Sequence, residues 1–235
     1  GLDPNVRLKP SGVDWLGEIP EHWRCNRGKY FFREVDERSE AGTEELLSVS
    51  HLTGVTPRSE KNVTMFQPES YAGHKVCHPG DLVINTMWAW MGALGVTNQT
   101  GIVSSSYHTY RSIDNDQFVD RYVDNLLRSQ PYVEEYNRRS TGIHKSRLRL
   151  YPEEFLKIRV LQPSTQEQQE IVDFVDTATA QMDQHIRKIR CQIDLVREYR
   201  TCLIADVVTG KLDVREAGLD RDDVPDDQES DGDEG

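Results

Sequence analysis

Residues 164–210 read STQEQQEIVDFVDTATAQMDQHIRKIRCQIDLVREYRTCLIADVVTG, with no proline and no glycine before the last position. Pro163 closes an extended segment, and Ser164 followed by Glu167 has the spacing of a helix capping box. Apolar residues then recur as a heptad. Val172, Ile186, Ile193 and Val207 fall on one core position, and Val175, Met182, Ile189, Val196 and Leu203 on the other. Thr179 and Arg200 interrupt the first series, as polar residues that weaken a seam while fixing its register and partner. Gly210 stands where a helix C-cap belongs. Such a helix runs roughly 65–70 Å at 1.5 Å per residue. A small domain cannot cover that length, so most of the apolar stripe is expected to lie against a second helix. The plainer alternative is a long core helix.

Length and composition bound the rest. The 235 residues suit one large or two small domains with a real core, and 36% of them are hydrophobic. No apolar run approaches the 18 residues of a membrane-spanning helix, and no signal peptide opens the chain, so the expected location is cytoplasmic and no membrane partner is expected. Because the chain starts with Gly, it reads as processed or as a piece of something longer. Cys25, Cys77, Cys191 and Cys202 are scattered and form no C-x-x-C pair, which suits thiols in a reducing compartment.

The formal charge is −12, but it is unevenly spread. From Asp213 onward there are eleven acidic and two basic residues, a net of −9, leaving −3 for residues 1–212. That composition predicts a disordered acidic tail over 211–235. By contrast, residues 138–149 (RRSTGIHKSRLR) hold five Lys/Arg and no acid, so the overall charge does not exclude a nucleic-acid partner.

Taken in order, residues 1–10 read as a linker or extended arm, and SGVDWLGEIPEHW (11–23) as an irregular arm that docks by burying Trp15, Leu16, Ile19 and Trp23. Residues 27–38 suit helix or strand, 46–49 a strand, and 53–70 are loop-rich. Pro79-Gly80 launches DLVINTMWAWMGALGV, and Thr100-Gly101 launches IVSSSYHTYRSI, which alternates like a strand. Helical spacing covers 118–137, with Pro131 breaking or restarting it. A short helix start and a strand occupy PEEFLKIRVLQPS (152–164) before the long helix. The expected class is α+β: an arm (1–23), a strand-rich mixed domain (24–163), one coiled-coil helix (164–210) and the tail.

Catalytic motifs are missing. There is no phosphate loop, no G-x-G-x-x-G, no G-x-S-x-G elbow and no Asn/Asp-Pro-Pro-aromatic segment, so the chain does not read as an enzyme and no catalytic residue is assigned. His74, Cys77 and His78 lack a fourth ligand at sensible spacing, so no metal site is assigned either.

Three stretches together resemble one family. SGVDWLGEIPEHW (11–23), LQPSTQEQQEIVDFVDTATAQMD (161–183) and REYRTCLIADVVTGKLDVR (197–215) are similar, in order and spacing, to motifs of the specificity (S, HsdS) subunits of type I restriction–modification systems. GDLVINTMWAWMGALGV with GIVSSSYHTYR resembles the target-recognition domain of some members, and the likeness spans nearly all of 1–215. The resemblance implies a non-catalytic subunit that binds double-stranded DNA through target-recognition domains, each followed by a long spacer helix. It also implies docking of modification (adenine methyltransferase) subunits and a restriction (translocase/nuclease) subunit. S-adenosylmethionine, ATP and Mg are then expected on those partners and not on this chain. One domain and one helix make half the usual subunit, so the chain is expected to be a natural half subunit or the C-terminal half of a full one. In either case the seam Val175, Met182, Ile186, Ile189, Ile193, Val196 and Leu203 needs a second helix, with a homodimer the obvious supply and inverted-repeat half-sites the consequence.

For DNA contact, phosphate positioning is expected from Arg138, Arg139, Lys145, Arg147 and Arg149. Lys145 or Arg147 can also pair with guanine, assisted by His144 or Ser146. Base reading is expected from Asn85, Thr86 and Trp88, with Trp90 sharing its face if the segment is a strand, and from Tyr107 and His108. The competing function is a coiled-coil protein-interaction module that binds no DNA.

Overall fold

The structure is a computed structural model that describes residues 5–60, 70–114, 116–144 and 147–215. Lys145, Ser146 and the 216–235 part of the acidic tail lie outside the described residues. The chain divides into two compact units, Gly1–Thr177 and Ala178–Gly235. The first turns of the long helix therefore belong to the first of these units.

The first unit is built on a four-stranded antiparallel sheet in the order β4-β11-β8-β9, formed by Phe32–Val35, His108–Ser112, Leu82–Ile84 and Leu94–Val96. Leu82, Val83 and Ile84 are all buried, as a central strand covered on both faces requires. Asp81 sits at its start with a nearly inaccessible carboxylate, which takes both Nε and Nη2 of Arg111 at 2.8 Å and the His78 N–H at 2.9 Å. Four two-stranded pairs surround this sheet. They are β1 (Leu8–Pro10) with β2 (Glu18–Pro20), β3 (Arg24–Arg27) with β12 (Arg159–Gln162), β5 (Leu47–Ser50) with β6 (Gly54–Pro57), and β7 (Lys75–Cys77) with β10 (Gly101–Val103).

Three helices close the core: α1 (Asp120–Leu127), α2 (Gln130–Arg139) and α3 (Pro152–Phe155). Pro131 restarts the helix instead of kinking it, because it occupies the first turn of α2, where its missing N–H is not needed. Tyr132, Tyr136, Leu127 and Phe155 pack with Tyr110, Leu82 and Ile84 into the main core.

Several expectations are refined or corrected. Residues 8–10 are a strand paired with 18–20, which favours the extended arm over the linker for this part of the chain. Within the loop-rich stretch 53–70, residues 54–57 form a short strand. The stretch expected as one strand in IVSSSYHTYRSI is two, Gly101–Val103 and His108–Ser112, because Ser104 and Ser106 bond each other and a Tyr107 N–H to Ser104 O bond closes a turn. Trp88 caps a 3-10 turn, Ala89–Met91, and Trp90 is its middle residue, so the two do not lie on a strand.

The long helix, α4, spans Thr165–Val208. Ser164 Oγ caps the Glu167 N–H at 3.3 Å, which is half of the expected capping box. The Glu167 carboxylate does not return to Ser164. It takes the Trp23 indole N–H at 3.0 Å and lies 2.8 Å from His22 Nε2, tying the N-terminal arm to the helix start. Gln168 is fully buried one residue later and accepts from Val119 N–H (2.8 Å) while donating to Gln117 O and Pro163 O (both 3.0 Å). At the other end, Gly210 takes the left-handed φ of 74°, with Lys211 N–H on Asp206 O at 2.8 Å and Gly210 N–H on Val207 O at 3.1 Å. This is the Schellman ending, and the expected C-cap is where the sequence puts it.

Candidate nucleic-acid interface

The β8–β9 connection is closed on itself by hydrogen bonds from Asn85 N to Ala93 O (3.0 Å) and Trp88 N to Asn85 O (3.0 Å). Gly92 makes this possible with a left-handed φ of 85°, and a Cβ there would press Val133 of α2 at 3.0 Å. Three loops meet at this turn. Asn85 Nδ2 donates to the Tyr107 hydroxyl at 3.0 Å, Thr86 Oγ1 to Ser106 O at 3.1 Å, and Leu150 N–H to Thr86 O at 3.1 Å. Burial pushes the Tyr107 hydroxyl above its ordinary pKa, so it stays a neutral partner for the amide. Of the expected base readers, then, Asn85 and Thr86 are buried and their polar groups hold the turn to the loop at 104–107 and to the end of the basic loop.

Trp88 is half exposed and stacks on Trp90 with ring centroids 6.5 Å apart and planes at 16°. The Trp90 indole N–H donates to Met87 O at 3.0 Å, which fixes the backing ring. Alternation on a strand was the wrong reason for these rings to share a face, since the 3-10 turn brings them together. His108, on β11, has Nδ1 against Glu34 Oε1 on the neighbouring strand.

The basic loop divides in two. Glu135, nearly inaccessible, accepts from Arg138 Nε (2.7 Å) and Nη2 (2.8 Å) and from Arg139 Nε (2.5 Å). Burial favours its neutral form, but the two guanidinium groups outweigh that and hold the carboxyl below its usual value. Arg139 also reaches Glu154 at 3.1 Å, which Lys157 shares at 2.6 Å. Arg138 is thus paired with an acid of α2, and Arg139 with acids of α2 and α3. Further on, Thr141 and Arg149 exchange backbone bonds at 3.0 and 2.9 Å. Gly142 is required there because a Cβ would lie 2.4 Å from Arg147 O. His144, Arg147 and Arg149 are exposed, and among the described residues no acid pairs with either arginine. Ile143, at 90% exposure, stands beside them. Sequence reading passed over it, though an isolated isoleucine in a glycine-bearing basic loop is a visible signal.

The three residues weighed as metal ligands have separate surroundings. His74 packs edge-on to Tyr71, His78 Nε2 lies 3.0 Å from Glu37, and Cys77 is buried with its Sγ on Gly101 O. Among the described residues no group of three or more His, Cys, Asp and Glu is placed to hold a metal.

The second unit presents the heptad seam. Met182, Ile186, Ile189, Ile193, Val196 and Leu203 are all exposed, Ile189 at 53%. Val175, in the first unit, is half-buried, and Val172 is buried in the core. No helix among the described residues is long and apolar enough to cross a membrane.

A chain from a type I R-M system, solved to show complex assembly and conformational transition, matches this architecture with a TM-score of 0.58. It is 18% identical and aligns over 85% of this chain and 48% of its own length. The fold is HsdS-like. Two further solved chains are the HsdS subunit from Thermoanaerobacter tengcongensis and the type I restriction–modification S subunit from M. genitalium. The first has a TM-score of 0.46 and 18% identity over 74% of this chain and 40% of that one. The second has a TM-score of 0.45 and 11% identity over 88% and 47%. No protein-family model and no curated protein matches the chain. The HsdS-like chain spans about half the length of the solved chains it matches.

Proposed function

We propose that the chain is a DNA sequence-recognition subunit of a type I restriction–modification complex. It reads one half of a bipartite target and docks modification and restriction subunits, and it is not itself catalytic. The observation that carries this reading is a strand-rich unit joined, in an HsdS-like fold, to a 44-residue helix whose heptad residues from Met182 to Leu203 are exposed among the described residues. A seam of that length is expected to be covered by a second helix, which a second copy supplies by antiparallel pairing.

On the recognition unit, Arg147 and Arg149 supply phosphate contacts, and Trp88 with His144 or Arg147 faces the base edges. Asn85, Thr86 and Tyr107 set the position of that surface through the bonds that join its loops. S-adenosylmethionine, ATP and Mg belong to the partner subunits, and the assembly works in the cytoplasm.

The test is co-expression with a type I modification subunit in a host without adenine methylation, followed by genome-wide mapping of methylated adenine. A two-part motif with inverted-repeat halves supports both the recognition role and self-pairing. A stable complex without methylation favours a protein-interaction module that binds no DNA, and failure to form any complex overturns the reading.

A further inference from the structure

The centre of α4 carries a feature that the seam does not use. Residues 184–193 (QHIRKIRCQI) hold Arg187, Lys188, Arg190 and His185 and no acid, in a chain of net charge −12. All are exposed, and among the described residues none of the three cations has an ion-pair partner. Asp194, the nearest acid on the C-terminal side, lies 3.7 Å from Arg197. At 3.6 residues per turn, Arg187 and Lys188 point roughly 130° away from the direction of Ile186, Ile189 and Ile193, and Arg190 roughly 70°. Arg187 and Lys188 therefore lie on the side of the helix that a partner helix at the seam leaves open.

Their position along the helix matters as much as their direction. The midpoint of Thr165–Val208 falls between Ile186 and Arg187. Two such helices paired antiparallel with their midpoints together bring six cations to the middle of the pair, three from each helix. The recognition unit precedes the helix in the chain, so under the DNA-recognition reading the duplex between two half-sites spans the middle of an antiparallel pair. Concentrated like charge destabilises the pair unless an anion neutralises it, and duplex DNA carries one negative charge per roughly 1.7 Å of its axis.

We propose that Arg187, Lys188 and Arg190 form a sequence-independent phosphate-binding surface for the spacer duplex between half-sites. The inference rests on the DNA-recognition reading above.

The experiment uses the full chain assembled with the modification subunit and carrying R187Q, K188Q and R190Q together. Exposed glutamine at helix positions keeps helix propensity. Binding is followed on a duplex bearing the mapped target and on a scrambled duplex between 50 and 200 mM salt. The slope of log affinity against log salt becomes shallower by roughly 0.9 for each phosphate contact removed, about 3 to 5 in all for two copies. Affinity falls by a similar factor, about tenfold or more, on both duplexes, while the methylated motif is unchanged. The charge-preserving triple variant R187K, K188R and R190K retains the wild-type slope. An unchanged slope in an intact complex overturns the proposal, and so does failure of the glutamine variant to assemble, which would make the cluster a protein contact. Wild-type complex without salt-dependent binding is a different result, since it overturns the DNA-recognition reading itself.

Discussion

Replacing Gln168 with leucine removes a side chain that joins the start of α4 to the segments preceding α1 and α4. The amide accepts from Val119 N–H and donates to Gln117 O and Pro163 O, at 2.8, 3.0 and 3.0 Å, and its residue has no solvent exposure. Leucine fills the space but leaves one N–H and two carbonyls without these partners. A buried polar group stripped of its partner costs about 1–3 kcal/mol, and partial relaxation brings the sum to roughly 2–5 kcal/mol. For a unit of this size each kcal/mol moves the midpoint by about 2–4 °C, so thermal unfolding followed by tryptophan fluorescence should fall by roughly 5–15 °C. Gln169→Leu is the control, because Gln169 is exposed and its amide reaches only Asp173 on the same helix, at 2.8 Å. That variant should stay within about 0.5 kcal/mol of wild type. Gln168→Glu separates hydrogen bonding from packing: its shape is retained, but a carboxylate faces two carbonyl oxygens, so it should be at least as harmful as leucine. Were Gln168→Leu to melt within about 2 °C of the Gln169→Leu control, the buried amide would not be what anchors the helix.

Further outcomes follow from other parts of the chain. Glu135 has a lowered carboxyl pKa in the fold, so its stabilisation is present above the unfolded value near about 4.3 and is lost as pH falls through the folded value. The urea midpoint of Glu135→Gln should therefore lie below wild type at pH 7 and converge with it in acid, whereas a constant gap would refute the pairing with Arg138 and Arg139. Ile186, Ile189 and Ile193 changed together to serine should shift the sedimenting species from dimer to monomer without lowering the melting of the first unit, because all three are exposed within the chain. A wild-type monomer at micromolar concentration would remove self-pairing as the cover for the seam. Finally, burial pushes the Cys77 thiol up to about 12, while Cys191 and Cys202 are exposed. Iodoacetamide at pH 8 should alkylate Cys191 and Cys202 in the folded chain, and Cys77 only after denaturation, as read by peptide mass mapping.

By itself the sequence determined the parts of this protein whose cause is local. Forty-odd residues without Gly or Pro and with a heptad stripe make a helix wherever they are placed, and Ser164 and Gly210 end it through bonds to their own neighbours. Pro131 restarts a helix for the same kind of reason, since its effect is set by its own ring. The uneven charge was also legible, because charge is additive along a chain. What only the tertiary structure decided is which polar groups are used up. Glu167 reads as a capping-box partner until Trp23 and His22 arrive from 144 and 145 residues away. Arg139 reads as a phosphate binder, yet Glu154 takes it once α2 and α3 pack, whereas the pairing of Arg138 and Arg139 with Glu135 is local to α2, at three and four residues' spacing. Asn85 has the chemistry of an adenine reader, and its amide is instead held by Tyr107 and Val49. A donor does not reveal its acceptor in a one-dimensional string, because the acceptor that wins is the one the fold brings within 3 Å after water has been removed.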